Sequence, residues 1–584
     1  MPRRWFHIVL LGALALLQIN WASAIAQTSG AAGQTGPGTV PLASGAAGAR
    51  VTAVEVQLRR SGGNATRDEA LSSVLRSSLS PLVGRGFSQV EVERRLAPLR
   101  ARMGTGSIGW RLLGDGPDGG VILRVDLDTS LADLPPDAAT GLLSDAGEGF
   151  PVLWRDSRSL LMSPVSGGFG LYSDGNPWFG QPSLFNNRNP LARQLPGGRA
   201  TWTEGYVEAG LAGATQQGFL PLYLFGEFSV LSSWSLGQDI FRDDPRSVTG
   251  IERAYAGFTW VEPDTGHSLT LSAGRQVFTL NDGFLINQVK GSTNAGGRAA
   301  LYLGPRLRNE FSTILHAKAD DWTFQAFYID PDEITAVDSR TTFLGANLKR
   351  DITNRFSLDA SFITIPQSNS NLANPQGLKL SREGIRTVAA HALWREALAV
   401  PGFWLEGEVA HQSSDEFDMS AWAGYGLIGY HARELPWRPS LSYRYAEFSG
   451  DDPSTRRYER FDSLLSTGLG IWLQGINFGK LTSNSNLVTH RVQFNVAPRP
   501  DLNVTFDYHL LRAAETQNAG GNPALATLRS SDLGQEFSLS ARWSITRQLY
   551  LQCVASIALP GKALSDIGAD RPWTTLQASL YWTL

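Results

Sequence analysis

The sequence has a single cysteine, few charged residues and no long apolar segment beyond its N-terminus. Cys553 has no second cysteine to pair with, so an intramolecular disulfide and a zinc site built from several cysteines are both excluded. Lysine and arginine (51) are balanced by aspartate and glutamate (54), which excludes nucleic-acid binding through a basic surplus. After residue 26 no segment approaches the roughly 20 apolar residues that a membrane-spanning helix requires. Any residence in a membrane must therefore depend on strands.

Glycine and aromatic residues are abundant instead. The 584 residues include 61 glycines, 17 tryptophans and 27 phenylalanines, while charged residues make up only 18%. This composition is more typical of a membrane β-barrel than of a cytosolic enzyme. The length exceeds what one ordinary soluble core accommodates, so we expect either several domains or one large closed sheet.

Residues 1–26 have the three parts of a secretory signal peptide. Arg3 and Arg4 form a basic region, residues 8–17 form an apolar segment, and small residues at 22–26 supply a cleavage site. The apolar segment is too short for a comfortable membrane span, and an uncleaved anchor is the alternative. A flexible linker rich in glycine, alanine, serine and threonine follows at 27–50. The sequence therefore predicts export from the cytoplasm.

Residues 51–130 predict a small α+β domain in the order β-α-α-β-β. The predicted elements are a strand at 51–58, helices at 66–79 and 88–103 that open with capping boxes, and strands at 107–113 and 121–127. This order ahead of a barrel resembles the POTRA domain, the periplasmic module of outer-membrane assembly and secretion proteins. The resemblance implies an exposed sheet edge that pairs with a strand of a partner protein. The alternative is an α+β plug or spacer that binds no partner.

From residue 155 to 584, after a second linker at 131–154, the sequence predicts a transmembrane β-barrel. It contains about eighteen segments of alternating character, an even number as a single-chain bacterial barrel requires. In the last segment Leu576, Leu580 and Trp582 share one face, while Gln577 and Ser579 share the other. Connections alternate between long and short, as extracellular loops and periplasmic turns do. We expect about 18 antiparallel strands in the outer membrane, with the N-terminal domain in the periplasm.

The alternation places charged side chains inside the barrel, because lysine or arginine facing lipid at mid-membrane costs about 2–4 kcal/mol. We expect them to line a water-filled channel, narrowed where loops fold in. Both signs of charge occur, so a lumen whose charges satisfy one another is the alternative. Strict alternation aims Arg275 outward, which predicts a bulge or a place at the membrane rim. The candidate pore-lining and polymer-binding residues are Arg253, Arg275, Arg308, Lys318, Lys349, Arg444, Arg491, Arg542, Glu227, Glu310, Asp359, Glu406, Glu408, Asp507 and Glu536.

Three segments resemble the alginate export porin family. They are WTEGYVEAGLAG (202–213), ERAYAGFTW (252–260) leading into LTLSAGRQVF (269–278), and STRRYERFDSLL (454–465). In that family a strand with Gly-Arg-Gln follows a strand with an acidic-x-Ala-Tyr pattern, and an Arg-Phe-Asp segment lies in a late loop. The resemblance implies diffusive passage of an anionic exopolysaccharide through an arginine-lined barrel. It makes candidate polymer contacts of Arg253, Arg275, Arg308, Arg444 and Arg491.

Other functions remain open at this point. The acidic residues of the lumen suit a neutral or mixed-charge polysaccharide as well as alginate. The N-terminal domain also fits a protein secretion or assembly translocase, although the lumenal Val-Arg-Gly-Phe/Tyr tetrapeptide of those barrels is absent, and a specific uptake porin shares the same barrel. No catalytic triad, nucleotide-binding glycine pattern or metal-binding histidine cluster is evident, so we expect a channel, not an enzyme, with no cofactor.

The expected partners follow from this location. A polysaccharide would occupy the lumen, outer-membrane lipid would surround the barrel, and nucleic acid is excluded. Components of a periplasmic scaffold or an inner-membrane synthase would bind residues 51–130.

Overall fold

The N-terminal part of the computed structural model is a three-stranded sheet with one helix. The strands are β1 (Val51–Arg60), β2 (Ile108–Gly114) and β3 (Val121–Asp128), and helix α1 spans Ala65–Leu79. Strand β3 lies in the middle, parallel to β1 and antiparallel to β2. Leu75 and Leu79 of α1 are buried with Leu123 and Val125 of β3. Because β1 and β3 run parallel, the chain must cross over between them, and the helical segment makes that crossover.

The structure describes part of the N-terminal region and most of the barrel. The described residues are 50–60, 65–85, 87, 91–92, 95–96, 108–114, 121–128, 151–155, 158–186, 198–217, 221–262, 265, 267–287, 299–300, 302–303, 309–333, 338–353, 355–374, 377, 379–466, 472–499, 501–517, 522–546 and 548–583. The predicted signal peptide and the linker at 27–49 lie outside them. Of the predicted second helix, residues 91–92 and 95–96 are described, in helical conformation. The resemblance to a POTRA domain stays a prediction.

The second half of the fold is a closed antiparallel barrel of eighteen strands, as predicted. It closes where the last strand pairs with the first, Thr574 with Gly175 through Thr583 with Ser166. The barrel strands are β6 (Val165–Gly175), β7 (Arg199–Gln216), β8 (Leu222–Gln238), β9 (Arg246–Val261), β10 (Ser268–Arg275), β11 (Asn309–Ala319), β12 (Trp322–Pro331), β13 (Thr342–Asp351), β14 (Phe356–Gln367), β17 (Ile385–Arg395), β18 (Phe403–Ser414), β19 (Ala421–His431), β20 (Ser440–Phe448), β21 (Leu487–Arg499), β22 (Leu502–Ala513), β23 (Asp532–Ser544), β24 (Leu549–Pro560) and β25 (Trp573–Thr583).

Short elements complete the barrel at its two ends. Strands β4 (Val152–Arg155) and β5 (Ser159–Met162) form a hairpin, and β5 pairs with β7 beyond the start of β6. Strand pairing thus begins inside the segment that the sequence assigned to a linker. A second hairpin, β15 (Asn371–Ala373) with β16 (Lys379–Ser381), lies in a loop. Two short helices, α2 (Pro182–Asn186) and α3 (Lys562–Ser565), also lie in loops.

The strands form because their side chains alternate between lipid and lumen. In β14, Leu358 and Phe362 expose 41% and 44% of their surface on the outside, while Asp359 and Ser361 between them are buried on the inside. A glycine occurs where a lipid-facing ring lies over the neighbouring strand. A Cβ at Gly205 would collide with the ring of Trp234. Among the described residues, no helix is long and apolar enough to cross a bilayer.

Long connections lie at one end of the barrel and short ones at the other. The long loops include L1 (176–198), L3 (276–308) and L7 (449–486), and the opposite end has turns such as 320–321 and 500–501. The predicted alternation weakens around the loop 415–420, which is shorter than the turns 396–402 and 432–439 on either side of it. Since strand directions alternate, the start of β6 and the end of β25 lie at the same end of the barrel as the short turns, the end that faces the periplasm in outer-membrane barrels.

Candidate functional site: the barrel lumen

Most of the predicted pore-lining residues stand at inward positions of their strands. They alternate with exposed apolar side chains such as Leu348, Val409 and Tyr443 on the lipid-facing surface. The inward positions are those of Glu227 in β8, Arg253 in β9, Lys318 in β11, Lys349 in β13, Asp359 in β14, Glu406 and Glu408 in β18, Arg444 in β20, Arg491 in β21, Asp507 in β22, and Glu536 and Arg542 in β23.

Three predicted residues stand apart from this set. Arg275 lies at the extracellular end of β10, at the rim as one of the two sequence interpretations expects, and its guanidinium donates to the Asp332 carboxylate at 2.6 Å. Glu310 is exposed at the extracellular end of β11, where the register with β12 shifts between Asn309 and Phe311. Arg308 lies outside the described residues. These positions place Arg275 and Glu310 outside the regular inward rows.

Several lumenal charges at mid-height are satisfied by one another. Arg253 lies 3.3 Å from the Glu227 carboxylate and 3.4 Å from that of Glu208 on the next strand. Arg491 and Asp507 form an ion pair at 2.7 Å across β21 and β22. Charges of both signs are therefore paired along this part of the wall.

An acidic cluster with one histidine occupies the wall of β14, β17 and β18. The ring of His391 bridges two carboxylates, with Nδ1 at 2.8 Å from Asp359 and Nε2 at 3.2 Å from Glu406. Asn281 of L3 donates its side-chain amide to the second oxygen of Asp359. Glu408 is only 3% exposed, and its Oε2 has no hydrogen-bond partner within the described part of the chain. L3 therefore reaches down to mid-height and contacts the charged wall.

Asp282 of L3 is a fourth carboxylate close to this cluster. Burial raises its pKa to about 6, with the nearby Glu406 carboxylate acting in the same direction and His391 against it. The backbone N–H of Phe284 donates to the Asp282 carboxylate at 3.0 Å. The seated loop thus favours protonation of Asp282 up to about pH 6.

Carboxylates in the extracellular half of the barrel hold loop backbone. Glu536 is fully buried and accepts the N–H groups of Ile476, Asn477 and Phe478 at 2.6, 3.0 and 3.0 Å. Glu204, also fully buried, accepts N–H groups from residues 302 and 303 of L3 at 2.8 and 3.0 Å. A buried carboxylate is tolerated because several donors satisfy it. These inward acids anchor L7 and L3 to the wall.

Aromatic side chains from the loops fill the extracellular half of the lumen. The outer aromatic cluster consists of Trp178 and Phe179 of L1, Phe478 of L7 and Trp573 of β25, with ring centroids 5.1 to 5.7 Å apart. It belongs to one connected set of buried apolar side chains that includes inward residues from strands all around the barrel. Trp178 and Phe179 both adopt left-handed backbone conformations, with φ of 57° and 52°. The loops thus place a packed apolar layer inside this half of the barrel.

Arg444 differs from the paired cations at mid-height. It is 4% exposed, its guanidinium lies 4.0 Å from the centre of the Trp472 ring, and it donates to the Gln474 side chain at 3.1 Å. Its Nε has no hydrogen-bond partner among the residues that the structure describes. Both contacts come from L7 rather than from a carboxylate. This cation is therefore covered by a loop instead of neutralised by the wall.

The periplasmic half of the lumen carries cations with weaker carboxylate contact. Lys349 lies 3.8 Å from Asp351, and Lys318 stands on the inward side of the neighbouring β11. Across the barrel, Arg542 lies over the Tyr550 ring at 4.9 Å, and Tyr550 stacks on Tyr581 at 4.6 Å. A lumen of this kind offers both charge and aromatic faces to a passing solute.

Sequence reasoning missed the residues that hold the loops inside. Lys480 of L7 pairs with Asp174 of β6 at 3.1 Å, and both are almost fully buried. Trp472 contacts Phe284 of L3 at 4.9 Å between ring centroids. A signal was present, because segments 176–185 and 470–479 hold Trp and Phe at a density that a loop in water does not favour.

A closed antiparallel barrel with lipid outside and charge inside defines a channel protein of the outer membrane, a porin. Within that class, the chain belongs to the alginate export family, whose model matches residues 232–571, more than half of its length. The matched segment includes L3, L7 and the strands from β9 to β24. A search of curated proteins found no match.

Solved porin structures are similar to this chain at low identity. A BenF-like porin from Pseudomonas fluorescens Pf-5 is 10% identical with a TM-score of 0.46, over 73% of this chain and 98% of that one. Acinetobacter baumannii OccAB2 is 11% identical with a TM-score of 0.44, and Pseudomonas aeruginosa OccK5 (OpdH) is 11% identical with a TM-score of 0.43. Both alignments cover 72% of this chain and 98% of the other chain. The strand pairing described above defines the fold without them.

Proposed function

We propose that this outer-membrane channel exports an exopolysaccharide through its charged lumen, with residues 51–130 serving as a periplasmic docking domain. The observation that carries the proposal is the match of residues 232–571 to the alginate export family. The matched segment holds Arg253, Arg444 and Arg491, three of the arginines that the family resemblance made candidate polymer contacts. A barrel of this size, with polar inward positions, supports transport rather than catalysis.

The distribution of charge supports a polymer that bears acidic groups. The inward carboxylates Glu204 and Glu536 already accept loop N–H groups, and Asp507 is paired with Arg491. The cations Lys318, Lys349 and Arg444 lack an equally close carboxylate partner within the described residues. The high count of lumenal acids therefore does not disfavour an anionic polymer, since the wall and loops use much of that negative charge. Rows of cations guide a polyanion from site to site.

The planar-bilayer experiment that tests this proposal uses the full mature chain. Single-channel current is recorded while an acidic polysaccharide and a neutral one of matched length are added separately. Block of the current by the acidic polymer, at concentrations where the neutral one has no effect, is the expected result. A current that neither polymer perturbs would contradict the proposal, and block by the neutral polymer alone would exclude the acidic substrate class.

The docking role is tested separately by deleting residues 51–130. The expected result is a channel with unchanged conductance in bilayers and a loss of polysaccharide export in cells. The barrel has its own connected core and closes by β6–β25 pairing, so the deletion leaves its strand order complete. Export equal to that of the full chain would refute the docking proposal and leave the channel proposal untouched.

A further inference from the structure

One segment of L7, Trp472–Lys480, runs inside the barrel and is held by the wall at several points. Glu536 accepts three of its backbone N–H groups. Asn477 donates its side-chain amide to the Trp573 carbonyl at 3.1 Å and accepts from the Thr575 hydroxyl at 2.6 Å. Lys480 completes the attachment through its ion pair with Asp174. We call residues 472–480 the plug.

The backbone of the plug fits closely against Glu536, which we call its anchor. Gly475 has φ of +86°, and a Cβ added there would lie 2.5 Å from Oε2 of Glu536. Any other residue at this position would therefore be strained in its backbone and would push the anchoring carboxylate away. The contact between the plug and β23 thus depends on a glycine at this one point.

The anchor can be solvated when the plug leaves. Glu536 keeps one wall donor, the Ser556 hydroxyl at 2.6 Å, and water in an open lumen would replace the three lost N–H donors. Asp174 keeps the indole N–H of Trp573 as a donor at 2.9 Å. Both carboxylates thus have a satisfied state with the plug in place and a solvated state without it. A two-state element of this kind is what a gate requires.

The plug also covers Arg444, which has no salt bridge within the described residues. Trp472 stacks on the Arg444 guanidinium at 4.0 Å, and Gln474 accepts one of its hydrogen bonds at 3.1 Å. Arg444 faces Arg491 directly across β20 and β21, and Arg491 is paired with Asp507. Removing residues 472–474 would expose the Arg444 guanidinium to the lumen, where the nearby Asp282 of L3 and an anionic solute would compete for it.

We propose that residues 472–480 are a built-in plug that closes the channel and, in the same position, covers Arg444, so that its withdrawal opens the lumen and exposes an anion site together. The second part rests on the proposed function, because it takes acidic groups of the polymer as the anion. The first part concerns the flow of small ions alone and is tested without any polymer.

The principal test locks the plug with a reversible disulfide. Asn477 and Thr575 are in side-chain contact, so N477C/T575C in a C553S background places two thiols together across the plug and β25. Ion conductance of the purified full chain is measured in planar bilayers after oxidation and again after reduction. The control pair S159C/T215C joins β5 to β7 away from L7, where the two native hydroxyls lie 2.9 Å apart.

The expected result is that oxidation of N477C/T575C abolishes openings and that reduction restores them, while the control pair conducts equally in both states. Equal conductance of N477C/T575C in both states, with disulfide formation confirmed by mass spectrometry, would overturn the plug. If the lock works and acidic polysaccharide still fails to block the reduced channel, the plug stands and the proposed function fails.

Two single substitutions test the same element in case the cysteine pair disturbs folding. G475A and E536Q both weaken the anchor, the first without changing lumenal charge, and each is expected to raise the fraction of time spent open. G426A is the matched glycine control, because a Cβ at Gly426 meets nothing within 4 Å on the lipid-facing side of β19. E447Q is the carboxylate control, since Glu447 is exposed and, within the described residues, is hydrogen-bonded to Tyr445 and to no part of L7. Open fractions of G475A and E536Q equal to those of the controls would refute the plug.

Discussion

The extracellular and periplasmic halves of the lumen use the same kinds of residue in opposite ways. In the extracellular half, Glu204 and Glu536 are buried and hold loop backbone, and aromatic rings fill the space between loops. In the periplasmic half, Lys318, Lys349 and Arg542 project inward from the wall, and among the described residues no loop backbone is hydrogen-bonded to the side chain of Lys318 or Lys349. An inward charge therefore holds a loop in one half of the barrel and projects from the wall into the lumen in the other.

This difference explains how a lumen rich in acids can belong to a family of alginate export channels. Height along the barrel decides whether an inward carboxylate faces a backbone N–H or water. The two halves meet at Arg444, which comes from the wall but is covered by a loop. Substitutions in the extracellular half should thus change stability and leak, and those in the periplasmic half should change ion selectivity.

The largest effect is expected from W573A. Trp573 is fully buried, contacts Trp178 and Phe179, and donates its indole N–H to Asp174. Loss of this side chain should lower the free energy of unfolding by about 3–5 kcal/mol and raise the leak of small ions. Thermal unfolding, followed by the heat-dependent mobility of the barrel on gels, measures the first effect. W422A is the control, because it removes a lipid-facing ring that is 56% exposed. If W422A lowered the free energy of unfolding as much as W573A, the buried lumenal ring would be no more important to stability than a lipid-facing one.

A smaller effect on selectivity is expected in the periplasmic half from K318Q/K349Q. Removing two lumenal cations should lower the ratio of anion to cation permeability by on the order of threefold and leave stability unchanged. The reversal potential across a salt gradient measures this ratio. K562Q is the control, because Lys562 lies in α3 outside the lumen with 67% of its side chain exposed. An unchanged reversal potential in K318Q/K349Q would show that these lysines do not face the ion path.

The position of L3 against the barrel wall is expected to depend on pH. The seated loop holds the pKa of Asp282 at about 6, and a withdrawn loop would return it to roughly 3.9. The seated state then binds more protons, so its relative stability is greatest below about pH 4, falls as the pH rises toward 6, and is constant above. The closing equilibrium should shift on the order of a hundredfold across this window.

The variant D282N isolates that contribution from the other groups that face Asp282. These groups are Asp359 on β14, His391 on β17, Glu406 and Glu408 on β18, Tyr425 on β19 and Arg444 on β20. The fraction of time spent open is recorded from pH 4 to pH 7.5 in both proteins. The wild-type channel should open more as the pH rises, and D282N should do so less. Identical pH profiles would show that Asp282 does not take part.

The barrel could be predicted from the sequence because its signal is local and periodic. In β25, residues Leu576 and Trp582 alternate with Gln577 and Ser579, and the structure pairs them with β6 and β24 in that phase. The two-residue period decides the face of each side chain without knowledge of any distant contact. The same period marked Arg275 as out of phase with its strand, although it left a bulge and a place at the rim as alternatives.

The arrangement of the loops could not be predicted in this way. Glu536 meets residues 476–478, and Glu204 meets residues 302–303, through contacts that follow no period. A carboxylate that lines water and one that anchors a loop occupy the same inward position of a strand. The aromatic residues of 176–185 and 470–479 indicate burial, but they do not identify the surface that buries them.

The smallest effect on the protein is expected at Cys553, which tests directly whether side chains of β24 alternate between lipid and lumen. Its side chain stands on the lipid-facing side of β24, opposite Ala541 and Ala578, while Gln552 beside it faces the lumen opposite Arg542 and Ser579. In proteoliposomes a membrane-impermeant maleimide should leave Cys553 unlabelled and should label Q552C in a C553S background, because only the lumenal thiol is in contact with water. Neither substitution is expected to change the fold. Rapid labelling of Cys553, with Q552C protected, would reverse the assignment of inside and outside on which the two halves of the lumen depend.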